Sequence, residues 1–439
     1  MYYKSLVEEL KVNSGGRFVI TEEISSTSSL IIKAVLKSKD LVTCPHCLSN
    51  NTIKFGKKER VLRDDYISNR QTIIHLTYNR FKCKDCLRLW NDSLPTLEAK
   101  TSISLSLKLN IIEDLKKDVS FTFIADKRNV SIQTVIDIFE TYVHYERRPF
   151  GDVICMDEFK NLKHSDGKYA FVMFDPNASK INDILENRLQ ANIDKYLYSI
   201  PWNEKKKVKY VITDMSESYR TLIRKHFYNA THIIDCFHYM RYVEDAFNNV
   251  RIRIQRFFGE ETPEYRILKR YWRLLSTFQF DVEDGEFYNP IRKKSTTINQ
   301  ILLDATSVHP ELNEAYELTQ FFLYSLKNTK YEEAEKWYDE WLSKIKESNC
   351  KEFVELTTMF NNWRKEIINS FIRFGDKRLH NGYIEGMNNK IKVIKRIAYG
   401  YTNFYHFRNR IMHIVNNDEY VLKVIDRESI NRKKRNKKI

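Results

Sequence analysis

The chain has 439 residues, 42% of them hydrophobic and 13% aromatic, a composition that packs into two to four domains and excludes a disordered or fibrous protein. Lysine and arginine number 73 against 58 acidic residues, and a formal charge of +15 favours a polyanionic partner, with nucleic acid ahead of an anionic membrane surface. No apolar run of about 18 residues, signal-peptide core, lipidation motif, G-x-G-x-x-G or Walker A sequence occurs, so the expectation is a cytoplasmic protein on DNA or RNA without ATP or NAD.

In chain order, Arg17–Thr21 and Ser29–Leu36 alternate as strands after a Gly15-Gly16 turn, and lead to Cys44-Pro-His-Cys47 and Cys83-Lys-Asp-Cys86. Two C-x-x-C knuckles offer four thiolates to one tetrahedral zinc ion, with a β segment through Ile73–Tyr78 between them. The competing reading is two unrelated buried pairs. Four sulfurs fill a closed structural site, which makes His46 and His75 bystanders. Cys155, Cys236 and Cys350 read as ordinary buried thiols. Residues 1–99 thus form an N-terminal β unit with a four-cysteine zinc-binding domain.

A DNA-binding domain is expected over 100–148, helical from Lys100 to Tyr145, with Leu105, Leu109, Ile112 and Leu115 on one stripe. A short helix at Phe121–Lys127, a turn at Arg128–Val130 and an N-cap at Ser131 have the cadence of a helix-turn-helix, the alternative being a plain helical hairpin. In the first reading Gln133 and Thr134 face base edges while Lys127 and Arg128 meet phosphates. Arg147-Arg148-Pro149 ends the helix and marks a boundary.

From Asp152 the period changes to βββαβαβα: strands at Val153–Asp157, Tyr169–Asp175, Lys180–Leu185, Lys209–Asp214 and Thr231–Asp235, with helices following the third, fourth and fifth. That order is the ribonuclease-H-like topology, in which acids on the first and fourth strands are neighbours. A catalytic domain over 149–415 is expected, with an α-helical insertion at 240–375 whose Trp337, Trp341 and Trp363 pack as core, followed by a basic tail at 416–439. After the insertion a turn feeds a helix on which Met387, Ile391, Ile394 and Ala398 share one stripe. Glu385, Asn389, Lys392 and Arg396 share the opposite one.

Asp157, Asp214 and Glu385 are the acids at strand-end and helix-face positions. Carboxylates converging from different elements suit a pair of magnesium or manganese ions for phosphodiester chemistry. Each has a plainer reading: a strand end for Asp157, a D-x-x-E capping box with Glu217 for Asp214, and a solvated salt-bridge face for Glu385. Glu158 should point to the other side of its strand.

The two knuckles, Met156-Asp-Glu-Phe159, Asp214-Met-Ser-Glu-Ser-Tyr-Arg220, Asp235-Cys-Phe-His238 and Asn381-Gly-Tyr-Ile-Glu-Gly-Met-Asn-Asn-Lys-Ile-Lys392 together resemble the DDE transposases of bacterial insertion sequences, and among them the ISL3 family. The resemblance spans nearly the whole chain in the family's order. It implies that Asp157, Asp214 and Glu385 bind Mg2+ or Mn2+, that Asp235 and His238 form the Asp-x-x-His element near the active site, and that Lys392 and Arg396 hold DNA phosphates. It further implies cleavage at terminal inverted repeats, strand transfer into target DNA, and a homo-oligomer, a dimer, assembled on double-stranded DNA in the bacterial nucleoid, with no membrane partner. The alternative is a zinc-finger and helix-turn-helix regulator carrying an inactive nuclease-like domain. Departures are Leu48 where the family has Gly, and Cys236 where a basic residue is common.

Overall fold

The computed structural model describes residues 16–38, 42–92, 102–375, 377–398 and 401–417, together with Val7. Gly15 and the basic run at 432–438 lie outside the described residues. The chain forms two compact units. One gathers residues 1–146, 162–165 and 390–439, the other 147–161 and 166–389. Lys390 onward falls in the first unit, together with the N-terminal residues.

In the first unit β1 (Phe18–Ser25) and β2 (Ser29–Leu36) form where alternation places them. Between the cysteine pairs the structure corrects the expectation of one short β segment. There is a long hairpin, β3 (Thr52–Ile67) and β4 (Arg70–Cys83), turned at Ser68 and Asn69, whose φ values of 51° and 62° give the doubly left-handed turn that suits strand twist. With β5 (Leu89–Asn91) on β4, the strand order is β1-β2-β4-β3. Leu30, Ile32, Ala34, Leu62, Ile74 and Leu76 bury on its core face.

Three helices follow: α1 (Leu105–Asp114), α2 (Phe121–Arg128) and α3 (Ile132–Tyr142). α1 starts at Leu105, not at residue 100, because Ser104 caps it by accepting the Leu107 N–H while its hydroxyl is donated to the buried Asp64 of β3. Ser120 and Ser131 cap α2 and α3 in the same way, and Asn129 closes α2 at φ 49°. Leu107, Ile111, Ile124, Val135 and Phe139 make the shared core. The chain's last described helix, Phe404–Asn416, also packs here: Arg410 donates to the Lys117 and Val119 carbonyls, and His413 bridges the Ile112 carbonyl and the Tyr145 hydroxyl at 2.9 Å each.

The second unit holds β6 (Val153–Lys160), β7 (Tyr169–Asp175), β8 (Lys180–Leu185), α4 (Gln190–Ser199), β9 (Tyr210–Thr213), α5 (Glu217–His226) and β10 (Thr231–Ile234). The sheet order is β10-β9-β6-β7-β8, with β6–β7 and β7–β8 antiparallel and β6–β9 and β9–β10 parallel. Val153–Met156 are buried without alternation, as a central strand covered on both faces requires.

Then come α6 (Cys236–Phe257), α7 (Pro263–Arg270), α8 (Ile298–Thr306), α9 (Pro310–Asn328), α10 (Ala334–Glu347) and α11 (Leu356–Asn369). The expected insertion is not purely helical: β11 (Glu286–Asn289) pairs antiparallel with β12 (Lys294–Thr297). Trp337, Trp341 and Trp363 are buried in one core with Phe322 and Phe360. Last is α12 (Gly382–Ile397).

Candidate active site

Parallel pairing of β6 with β9 stops at Cys155, opposite Ile212, while pairing with β7 continues from Asp157, opposite Val172, to Lys160. Asp157 therefore does not end its strand, as expected from the sequence; it lies inside β6, just past the end of its parallel neighbour. Asp214 follows the last residue of β9 and Asp235 the last of β10. Asp214 and Asp235 thus stand at the carboxyl ends of two parallel strands and Asp157 beside them, where the parallel pairing of β6 stops, along the edge where open α/β sheets form their ligand crevices. Glu158, one residue on, turns the other way as expected, accepting from the Tyr219 hydroxyl at 2.9 Å and pairing with Arg188.

Around this edge the polar contacts converge. His238 Nε2 lies 2.7 Å from Asp214 Oδ1. Asp235 caps α6 and takes the Asn381 backbone N–H. Asn388 Nδ2 donates to Asp157 Oδ2 at 2.7 Å, and Asn381 Nδ2 to Asp214 Oδ1 at 3.4 Å. Burial first, and then the neighbouring Asp214 carboxylate, push Asp157 up to about 7. The hydrogen bond to Asp214 raises His238, and burial raises Asp235. A half-buried pair of crowded carboxylates is a poor place for two negative charges and a good one for a divalent cation.

Glu385 is exposed in the first turn of α12, three residues before Asn388. Asp157, Asp214 and Glu385 do not all lie within 4.8 Å of one another: among the described residues, the one set of three or more potential metal-ligand atoms that close together is the cysteine set. The buried stripe of α12 is Ile384, Asn388, Ile391 and Ile394, with Met387 only half-buried, so the expected apolar stripe is shifted by the polar Asn388. Glu385, Asn389, Lys392 and Arg396 share the exposed face as expected. Asn388 is the site residue that sequence reasoning missed; the doubled Asn388-Asn389 was visible, but not which of the two turns inward.

The tyrosine and arginine after Asp214 anchor α5. Tyr219 reaches back to Glu158 on β6, while Arg220 binds Glu366 Oε1 at 2.9 Å and the Asn362 carbonyl at 2.8 Å and lies 3.6 Å from the Trp363 ring centre. The capping-box reading of Asp214 fails. Ser216 is the N-cap of α5, and Glu217 pairs with Arg220 instead of reaching back.

In the first unit the four cysteines form the cluster expected of them. Cys44 and Cys86 Sγ are 3.6 Å apart, as are Cys47 and Cys83 Sγ. Four sulfurs at about 2.3 Å from a tetrahedral zinc ion stand ~3.8 Å from one another, so the set fits that ion. The hairpin makes this possible by returning Cys83 to a position opposite Thr52. His46 contacts Arg88 and His75 contacts Glu59, as befits bystanders. After each knuckle a leucine takes the left-handed conformation, Leu48 at φ 61° and Leu87 at φ 59°, and both side chains are exposed. This backbone costs an L-residue about 1–2 kcal/mol, and glycine's greater chain entropy returns roughly 0.5–1. Leu48→Gly is accordingly expected to raise the denaturation free energy of the zinc-loaded protein by about 0.5–1 kcal/mol; an unchanged or lower denaturant midpoint overturns this.

The nucleic-acid contacts expected from sequence fare unequally. Gln133 is exposed on the first turn of α3, where its Nε2 donates to Asp137 Oδ1 at 2.7 Å, and Thr134 is half-buried against Ser131. Lys127 pairs with Asp114 at 2.8 Å but stays partly exposed. Arg128 is a correction. It is 8% exposed and its guanidinium is held by Asp114 and Asp65, each at 2.7 Å, so it ties α2 to α1 and β3. Lys392 and Arg396 are exposed on α12.

A family model described as a transposase, of the ISL3 type with a DDE domain, matches residues 154–411, and a model for the zinc finger of transposases IS204/IS1001/IS1096/IS1165 matches residues 40–86. The chain is 24% identical over 262 residues to the transposase for insertion sequence element IS1001 of Bordetella parapertussis, covering 58% of this chain and 59% of that protein. It is also 33% identical over 110 residues to a Lactococcus lactis subsp. lactis protein named an ATP-dependent protease, covering 24% of this chain and 30% of the relative. The chain therefore spans less than two thirds of either relative.

Proposed function

The chain belongs to the ISL3 family of transposases, and from that premise we propose that it binds the terminal inverted repeats of an insertion sequence, nicks the DNA there and joins the freed 3′-hydroxyl to a target strand. The observation that supports the reading is the Asn388–Asp157 hydrogen bond, because it docks α12 on the aspartate edge, and Glu385 lies three residues earlier on that helix. The antiparallel-then-parallel sheet order supports a ribonuclease-H-like reading of the unit, and the capped pair α2–α3 with its left-handed Asn129 supports a helix-turn-helix.

In this reading Asp157, Asp214 and Glu385 hold Mg2+ or Mn2+. Their oxygen donor set and the crowding that raises Asp157 fit such an ion. When bound, the ions supply an activated nucleophile and stabilise charge on the transferred phosphoryl group. The protein's part is positional. Asn388 orients the Asp157 carboxylate, His238 and Asn381 orient that of Asp214, and Asp235 fixes the start of α6, which carries His238. The same proposal has Lys392 and Arg396 meeting backbone phosphates, Gln133 and Thr134 meeting base edges, and a dimer assembled on the DNA.

The test is a nicking and strand-transfer assay in Mg2+ on duplexes cut from the DNA flanking the coding sequence. Glu385→Gln is expected to lose nicking while binding the same duplex within about twofold. Near-normal nicking removes Glu385 from the site, and binding without nicking by the unaltered protein favours the regulator.

A further inference from the structure

We infer that the β3–β4 hairpin is a second duplex-DNA contact surface, about eight base pairs along the helix from the contact made by α3; this rests on the DNA-binding reading above. β3 is the edge strand of its sheet, and every residue from Ile53 to Glu59 is exposed, so no layer covers this stretch. It carries Lys54, Lys57 and Lys58, and β4 adds Arg80 and Lys82 across from it.

A bulge sets the register of these charges. Lys54 stands opposite Phe81 and Lys57 opposite Asn79, with Phe55 and Gly56 together facing the single residue between, and Gly56 has φ +87°, the left-handed value such bulges use. In a regular strand, residues three apart point to opposite faces. The extra residue cancels that alternation. Lys54, Lys57 and Arg63 face Phe81, Asn79 and Ile73, which are separated by even steps on β4, so all three cations share one face. Glu59, the acid on the same face, is paired with His75 at 3.0 Å.

The far end of this line meets the turn between α2 and α3. Arg63 donates to the Asn129 carbonyl at 3.5 Å, and Ser131, two residues on, caps α3. From Phe81 to Ile73 is eight residues of β4, about 26 Å at ~3.3 Å per residue. At ~3.4 Å per base pair that is roughly eight base pairs, most of a turn of duplex. The major groove admits a two-stranded β-ribbon as readily as a helix. A lysine-rich edge also guards a sheet against pairing with another chain, but that role asks only for charge, not for a glycine bulge that aligns the cations on one face.

The experiment is hydroxyl-radical footprinting of the zinc-loaded full chain on a duplex of about 60 base pairs cut from the flanking DNA, with zinc content and circular dichroism verified for every variant. The unaltered protein is expected to protect two segments about eight base pairs apart. Lys54→Gln/Lys57→Gln should lose one segment only and flatten the slope of log affinity against log salt by about two units, one per lost phosphate contact, while Gln133→Ala should weaken the other segment. Both segments persisting with an unchanged salt slope in the double variant overturns the ribbon alone. No protection of any duplex by the unaltered protein overturns the proposed function itself.

Discussion

Asp157→Asn is expected to abolish nicking, by about a thousand-fold or more, and at the same time to stabilise the cation-free protein. The first effect follows from removing a carboxylate that holds the ions, a loss of several kcal/mol of transition-state stabilisation at about 1.4 kcal/mol per tenfold. The second follows from linkage. Burial and the Asp214 charge lift the folded-state value of Asp157 from 3.8 to about 7. Below about pH 4 the carboxyl is protonated whether folded or unfolded and costs nothing. Between about pH 4 and 7 the folded state holds a proton that the unfolded state has released, so stability falls as pH rises, and above 7 the full penalty remains. Three units correspond to roughly 4 kcal/mol as an upper bound, and an asparagine, neutral and still able to accept from Asn388 Nδ2, escapes it. In EDTA at pH 8 the variant should therefore melt higher than the unaltered protein, and the gap should close toward pH 4. Adding Mg2+ should raise the melting temperature of the unaltered protein more at pH 8 than at pH 5.5, and leave the variant nearly unmoved. A variant that melts lower than its parent at pH 8 in EDTA would show that Asp157 is not a strained carboxylate.

The other large effect concerns zinc. Cys83 is fully buried at the end of β4 and pairs across the hairpin with Thr52, so its thiolate joins the knuckles to the sheet. Structural zinc contributes on the order of 10 kcal/mol of apparent binding free energy at neutral pH, which exceeds what this small β unit gains from its apolar face. Cys83→Ser should remove the single bound zinc per chain and open residues 44–91 to protease. The sheet of the second unit, with its own core around Ile154, Phe171 and Val211, should stay folded. Elemental analysis and limited proteolysis read both parts. Equal protease resistance with zinc absent would mean that the cluster is dispensable for folding.

Local signals in the sequence were enough for most of the elements and for the residues proposed for the site. Unbroken apolar runs marked β6, β7 and β9. Ser131 marked the start of α3. The two C-x-x-C pairs marked the zinc cluster, and the strand ends led to Asp157 and Asp214. These features depend on residues within a few positions of one another, where covalent spacing and side-chain period decide the outcome. Only a fragment of the hairpin between the knuckles is legible in the sequence, because β3 is exposed on both faces at Ile53–Glu59 and so carries no alternation.

Tertiary structure alone decided the rest. Arg128 looked like a turn residue free to meet phosphate until β3 brought Asp65 against it, 63 positions away. Asn388, and not Asn389, faces Asp157 across 231 positions of sequence. The helix Phe404–Asn416 closes the core of α1–α3 through His413 and Ile112, 301 positions apart. In each case a polar group is satisfied by a partner that only the folded chain supplies, and a buried donor or acceptor left without one costs about 1–3 kcal/mol. The sequence therefore determined which chemical groups were present and on which elements; the need to pair those groups once buried determined which of them turned inward and which remained for a ligand.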